Sequence, residues 1–357
     1  MIFLLLACTT PDAPLVQGPD DTGASSSDCR AAATDAVHSA VVSLPFASPD
    51  TGWVAYRVQD DSLTETGRFS LGARAAFGRV AWTPDGAIGA VPLEDGTIGL
   101  ISALDGAVEV VEPTISGDFY SSNLHFSPDG STLWIVDGNW ANNGGGLYKL
   151  PIDCETGAPG VATFVRSSKL AAALLLGERT VLVAQEVDDQ SGYGAWELDG
   201  PEGEVLRGVA LFDYADSSIS DAVMGPGGHV WVADNSLWSG QDNHVVVLEA
   251  DLSKRHQVPI VDPVAIVPAP TGSDALVLSA YGADALVLLK ESGEVETVQS
   301  SPLPWSAAGL TEGPDAGLAL VSENEALLLL RVTSTVDELA RIPLSGDQVP
   351  GVVGLSP

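Results

Sequence analysis

Basic residues are scarce in this chain: 15 Lys and Arg stand against 48 Asp and Glu in 357 residues, a formal charge of −33. That balance excludes nucleic-acid binding by phosphate neutralisation. It leaves neutral, cationic or metal-bearing partners. Cysteine is nearly missing, with Cys8, Cys29 and Cys154 the only three, and no Cys-x-x-Cys pair offers a zinc or redox centre. Long apolar runs are missing too, since nothing after the N-terminus approaches the roughly 18 to 20 residues a membrane-spanning helix needs. The five histidines, His38, His125, His229, His244 and His256, are scattered and form no His-Glu-x-x-His motif. Neither Gly-x-Ser-x-Gly nor a phosphate loop occurs, because Gly144-Gly145-Gly146 is followed by no Lys. No catalytic residue is therefore assigned. What remains is 45% hydrophobic and 18% charged, a globular composition, with 38 Gly and 23 Pro that point to many short strands and turns.

The first residues, Met1-Ile-Phe-Leu-Leu-Leu-Ala7-Cys8-Thr9, set an apolar run directly before a small residue and a cysteine. This resembles a bacterial lipoprotein signal, with Leu5-Leu6-Ala7-Cys8 as the lipobox. The resemblance implies a lipidated Cys8, and Thr9 after it implies sorting to the outer membrane. A basic leader and a full-length apolar region are both missing, so a ragged apolar N-terminus is the alternative. Residues 9–35 are rich in Pro, Asp, Gly and Ser without periodic hydrophobicity and read as a tether. With Cys8 given to lipid, Cys29 and Cys154 are an even pair in a compartment that permits disulfides. A Cys29–Cys154 bond is expected; two unpaired thiols are the alternative.

A repeat fills residues 36–357. Corners of the form apolar-x-Pro-Asp-Gly recur as Phe46-Ala-Ser-Pro49-Asp-Thr-Gly52, Trp82-Thr-Pro84-Asp-Gly86 and Phe126-Ser-Pro128-Asp-Gly130. Looser copies follow around Gly177, Pro226, Pro270 and Pro314. Their spacing is about 44 to 49 residues after the first, shorter step, the length of one four-stranded propeller blade. Each corner precedes a short β-branched run, a polar loop and a second run, as in His229-Val-Trp-Val-Ala233 and His244-Val-Val-Val-Leu248. The fold expected is all-β, a seven-bladed β-propeller of four-stranded antiparallel blades. Gly351 to Leu355 reads as a strand that returns to the first blade and closes the ring. An eight-bladed ring is the minor alternative.

Phe126-Ser-Pro-Asp-Gly130 with Leu133-Trp-Ile-Val-Asp137, and His229-Val-Trp-Val-Ala-Asp-Asn235, resemble the units of the YVTN and lactonase-like propeller superfamily. The resemblance covers about nine tenths of the chain and implies the fold. It implies little of function, since unrelated activities share this architecture. The catalytic Glu, His and Arg positions of the lactonases find no match residue by residue.

In such a ring the loops between second and third strands, and those between blades, emerge on one face. Residues expected there form an acidic, aromatic-rich ligand-binding surface: Asp118, Tyr120, Asp137, Asn139, Trp140, Asp188, Asp189, Tyr193, Asp213, Tyr214, Asp234, Asn235, Trp238 and Trp305. Gln59-Asp-Asp61, Glu94, Tyr281-Gly-Ala-Asp284 and Ser322-Glu-Asn-Glu325 are assigned to the same face. Rings supply apolar area and their neighbours supply hydrogen bonds, which suits a protein, peptide or carbohydrate. Asp137 and Asp234, at equivalent positions, are weak candidates for calcium, although no EF-hand spacing surrounds them. The alternative is an ordinary solvated surface. His125 precedes a corner on an innermost strand and reads as a packed or solvated residue, with a place facing the central channel as the alternative; Trp82, Trp134 and Trp231 read as core between blades.

The reading is a lipid-anchored propeller of the bacterial envelope that binds or displays, without a cofactor other than calcium. A lactonase-like or metal-assisted hydrolase with its site at the central channel is the second hypothesis. An oligomeric envelope protein is the third.

Overall fold

A computed structural model describes residues 37–357 apart from 103–107, 112–120, 139–144, 154–155, 167–169, 177–178, 188–189, 200–203, 213–218, 236–242 and positions 49, 77 and 345. Across 167–218 it describes the backbone and few side chains. Cys8, Cys29 and Cys154 lie outside the described residues.

The strands form seven four-stranded antiparallel sheets. Six are built from consecutive strands. The first of these holds β4 (Ala81–Trp82), β5 (Ile88–Pro92), β6 (Ile98–Ser102) and β7 (Val108–Val111). Next come β8 (Ser121–Phe126), β9 (Thr132–Asp137), β10 (Gly146–Pro151) and β11 (Thr163–Arg166), then β12 (Leu170–Leu176), β13 (Arg179–Val187), β14 (Gln190–Asp199) and β15 (Glu204–Phe212). Another holds β16 (Ile219–Met224), β17 (Val230–Asp234), β18 (His244–Leu248) and β19 (Lys254–Pro259), and the next β20 (Pro263–Pro268), β21 (Ala275–Ser279), β22 (Ala285–Leu289) and β23 (Val295–Ser300). The last consecutive sheet is β24 (Ser306–Gly309), β25 (Leu318–Glu323), β26 (Ala326–Val332) and β27 (Val336–Pro343). The remaining sheet is composite, ordered β28-β1-β2-β3, with β28 (Val353–Leu355) beside β1 (His38–Leu44), β2 (Gly52–Gln59) and β3 (Ser62–Ser70).

First strands of successive sheets touch in turn, β4 with β8, β8 with β12, β12 with β16, β16 with β20, β20 with β24, β24 with β28 and β28 with β4. The sheets thus stand around an axis lined by their first strands, which is a β-propeller. Sequence explains the layering. Middle strands are packed on both faces and read as unbroken aliphatic runs, such as Ala275-Leu-Val-Leu-Ser279 and Ala285-Leu-Val-Leu-Leu289, buried throughout. Fourth strands have one wet side and carry polar residues, as in Val295-Glu-Thr-Val-Gln-Ser300. The aliphatic side chains interlock between neighbouring sheets. Val267, Leu276 and Leu278 meet Val321, Leu328 and Leu330 in one such layer, and Val42, Val54 and Tyr56 meet Leu320 and Leu329 in another. Truncating a buried Leu in these layers to Ala costs about 2–5 kcal/mol.

The Pro-Asp-Gly corners join first to second strands. At Thr83-Pro-Asp-Gly86 the Gly86 N–H donates to Thr83 O at 2.8 Å, and the Thr83 hydroxyl and Ala87 N–H donate to Asp85 Oδ1 at 2.6 and 3.0 Å. Ser127 and Asp129 repeat the arrangement at 2.6 Å. Burial pushes the Asp129 carboxyl up, but the donors from Ser127 and Ser131 outweigh it and hold its pKa below the usual carboxylate range. Gly86 and Gly130 have φ of 67° and 70°, the left-handed conformation that closes the turn.

The closing strand pairs Ala40 with Leu355, Val41 with Gly354 and Val42 with Val353. Serines tie its ends: Ser39 N–H donates to Ser356 Oγ at 2.8 Å and Val352 N–H to Ser43 Oγ at 2.8 Å. At Gly354 a Cβ would stand 2.4 Å from Val80 Cβ, so the approach to the next sheet requires glycine.

This closure corrects the sequence reading at the first unit. Because β28 supplies the inner strand, β1 is the second strand of its sheet and β2 the third. The segment 45–51 therefore lies on the loop face, although it resembles a corner. Gln59-Asp60-Asp61 joins third to fourth strand and falls on the corner face instead. The true corner of this sheet lies between Leu355 and His38, where Pro357 stands.

Candidate functional site

Two openings bracket the axis. On the loop face a cleft of about 120 Å³ lies between the composite sheet and its neighbours, lined by Pro45, Phe46, Arg74, Glu94, Trp305 and Pro350 among others. Phe46 is 56% exposed, and Tyr281 and Val261 on the same face are 47% and 57% exposed. Tyr281 packs edge-on against Trp305 with centroids 6.0 Å apart. The Trp305 Nε1 and Arg74 Nε donors are buried without a hydrogen-bond partner among the described residues. Arg74 stands 3.5 Å from Asp50 and 3.7 Å from Glu94, too far for strong pairing. Around this apolar patch the exposed acids Glu94, Asp95, Asp284, Glu325 and Asp347 form a rim.

On the corner face a wider cavity of about 580 Å³ enters the axis. Its wall includes His38, Arg79, Trp82, His125, Phe126, Leu310 and Leu355. Arg79 crosses the axis: its Nη2 donates to Asp221 Oδ2 on β16, whose carboxylate also accepts the Ile266 N–H at 2.7 Å. One ion pair thus bridges three sheets. Burial pushes the His125 imidazole down to about 4, so it is neutral at physiological pH. His38 Nε2 lies 3.1 Å from Asp315 Oδ2, and Arg331 links Asp315 (4.0 Å) to Asp61 (2.8 Å) across the joint between the composite sheet and its neighbour.

The expected site residues fare unevenly. Trp305 is where the loop face was expected to bind. Asp137 and Asp234 occupy equivalent positions, as the last residues of β9 and β17, but both are fully buried and engaged within the protein rather than displayed. A carboxylate ending a strand of a packed sheet turns inward to satisfy neighbouring donors. Asp262 is 1% exposed, and burial raises the pKa of its carboxyl. Glu323 is likewise fully buried and paired with Arg341 at 2.6 Å. The acidity of this face is thus partly internal. Tyr193 lies on β14 with its side chain outside the description, and Asp118, Tyr120, Asn139, Trp140, Asp188, Asp189, Asp213, Tyr214 and Trp238 lie outside the described residues. Among the described residues no group of three or more His, Cys, Asp or Glu is placed to hold a metal ion.

Sequence reasoning missed Phe46, Arg74, Arg79 and Asp221. Phe46 was hidden by its resemblance to a corner. Arg79 and Asp221 are 142 residues apart and carry no local signal. His125 lines the cavity, the channel-facing alternative for it, and Trp82 also lines it rather than lying wholly between blades. Trp231 is core, 2% exposed.

No family model matches the chain, and no curated protein matches it. Among solved structures it is similar to a putative 6-phosphogluconolactonase from Bacteroides uniformis, at 12% identity and TM-score 0.63, covering 90% of this chain and 100% of that one. A second putative 6-phosphogluconolactonase, from Bacteroides fragilis, matches at 11% identity and TM-score 0.63 over 91% and 99%. The WD40 repeats of RRP9 match at 13% identity and TM-score 0.56 over 77% and 83%. Likeness at such identities shows the β-propeller fold alone.

Proposed function

We propose that this chain is a binding propeller of the bacterial envelope, anchored by lipid at Cys8, that engages a protein partner through its loop face. The observation that carries the reading is the cleft lined by the exposed Phe46 and by Trp305, with Tyr281 packed edge-on against Trp305. Exposed apolar groups gathered in this way mark interaction surfaces. A cleft of about 120 Å³ is below the roughly 300–1,000 Å³ of small-molecule sites, so it suits one anchoring side chain of a larger partner. The acidic rim favours a basic partner segment.

Topology agrees with a tether. Strand β1 begins at His38 on the corner face, so a chain arriving from residues 9–35 joins the ring there. An anchored molecule would turn its corner face to the membrane and its loop face outward. Outer-membrane placement, the Cys29–Cys154 bond and a calcium ion at Asp137 or Asp234 belong to the same proposal.

The test is a thermal melt of the full chain with a basic, leucine-containing peptide. A ligand that binds the native state raises the midpoint by mass action. The rise is expected in the wild type and absent in Phe46→Ser and Trp305→Ala; an equal rise in those variants would place the contact elsewhere. Radiolabelled palmitate should enter the protein in cells and fail to enter Cys8→Ser.

A second reading, a hydrolase at the channel, is favoured by the cavity and its neutral His125. Turnover of 6-phosphogluconolactone that falls on His125→Gln would support it.

A further inference from the structure

We propose that the corner-face cavity binds a small organic cation, an apolar ring or chain that carries one protonated amine. Its volume of about 580 Å³ falls in the range of small-molecule pockets. Much of the apolar surface it offers comes from rings. Pro84, Pro128 and Pro314 stand at the corners of three sheets, the first partly exposed and the other two exposed, and Trp82 stands partly exposed beside Pro84. Proline fixes its own backbone angle, and the turns at Thr83–Gly86 and Ser127–Gly130 are closed by internal hydrogen bonds. These rings therefore lose little freedom when a ligand settles against them.

The sign of the charge follows from which wall groups are already committed. The ionisable side chains of the wall are His38, Arg79, His125 and Glu312. Arg79 donates to Asp221, and His125 is neutral. His38 Nε2 faces the Asp315 carboxylate at 3.1 Å, and Arg331 stands 4.0 Å from the same carboxylate. Glu312 is exposed, and among the described residues it has no hydrogen-bond or ion-pair partner. The one uncommitted charge of the wall is thus negative. A cation entering the cavity can pair with Glu312 and leave Arg79 with Asp221. An anion would have to draw Arg79 away from Asp221 while Glu312 repels it.

The corner that carries Glu312 is longer than its counterparts. Residues 310–317 join β24 to β25, whereas residues 83–87 join β4 to β5. Its base is nevertheless fixed: Gly317 N–H donates to Leu310 O at 2.7 Å and Leu318 N–H to Asp315 O at 3.0 Å. His38 and Arg331 hold the Asp315 side chain three residues beyond Glu312. The carboxylate is therefore presented at the cavity from an anchored loop. The overall charge of −33 draws cations to the whole surface without choosing a place on it. Glu312 makes that choice, and because it stays exposed it keeps part of its hydration when it pairs.

Titration calorimetry on the full chain with phenethylamine, 2-phenylethanol and phenylacetate, three probes of similar shape and different charge, tests this. Phenethylamine should bind most tightly and phenylacetate least. Glu312→Gln, a substitution at an exposed position, should weaken phenethylamine about three- to fivefold, the scale of an exposed ion pair, and leave 2-phenylethanol unchanged. Trp305→Ala and Phe46→Ser on the loop face should leave all three affinities unchanged, so failure of the loop-face proposal does not touch this one. The proposal falls if phenethylamine does not bind or binds no better than 2-phenylethanol, or if the loop-face variants abolish its binding. It falls equally if the preference for the amine survives Glu312→Gln, which would assign that preference to the overall charge.

Discussion

The two ends of the axis are built from the same repeated unit and differ in almost every property that governs binding. On the loop face a shallow cleft is walled by exposed rings, with acids spread around it. On the corner face a wider cavity is walled by Arg79, Trp82, His125 and aliphatic side chains, with the exposed carboxylate of Glu312 among them. The inter-blade and second-to-third-strand connections fall on the loop face; the corners at Thr83–Gly86 and Ser127–Gly130 are short turns held by Asp85 and Asp129. A partner with its own surface fits the first end, and a molecule small enough to be enclosed fits the second.

The corner-face wall holds the Arg79–Asp221 ion pair across the axis, and breaking it is the severest test. Arg79→Met leaves the Asp221 carboxylate, 9% exposed, without its cation and should destabilise the fold by on the order of 3 kcal/mol. The double variant Arg79→Met, Asp221→Asn should recover much of that loss in urea unfolding. No recovery would mean the two residues act separately.

Acid sharpens the comparison next. The folded state holds the His125 pKa near 4, below the unfolded value near 6.5. Its stabilising contribution is therefore complete above about 6.5 and is lost as pH falls toward 4, up to about 3 kcal/mol in all. His125→Gln should flatten that limb of the stability–pH curve, whereas substitutions at Trp305 should leave it intact. The smallest effect is expected on the loop face. Burial raises the Asp262 pKa, so this carboxyl favours folding at low pH and opposes it once ionised. Asp262→Asn should raise Tm slightly at neutral pH and not at pH 3; a gain of equal size at both would assign it to packing instead.

Much of the architecture was legible because it is written locally and repeatedly. Thr83-Pro-Asp-Gly86 and Ser127-Pro-Asp-Gly130 announce their turns within a few residues, and the aliphatic runs at 275–289 announce doubly buried strands. The offset of the first unit was not legible from the corner motif, since Pro49-Asp50 imitates it in a different connection. Charge misled at Asp137, Asp234 and Glu323, because the sequence shows a carboxylate but not the donors that draw it inward. His125 was offered to the channel by its place before a corner, but its company there was invisible for a simpler reason. His38, Arg79, His125 and Asp221 sit on four different sheets, and only closure of the ring brings them to one axis.

That closure also sets an order of events. The bond from Ser39 to Ser356 spans 317 residues. During synthesis the six consecutive sheets can each form as their strands emerge, while β1 waits with an open inner edge until β28 arrives. The delay costs little in loop entropy, which grows only with the logarithm of length, but it leaves an edge that accepts any matching strand. Two chains refolding together at high concentration can each supply β28 to the other, giving an exchanged dimer with every native hydrogen bond in place. Dilution during refolding is thus the condition under which this ring closes on itself.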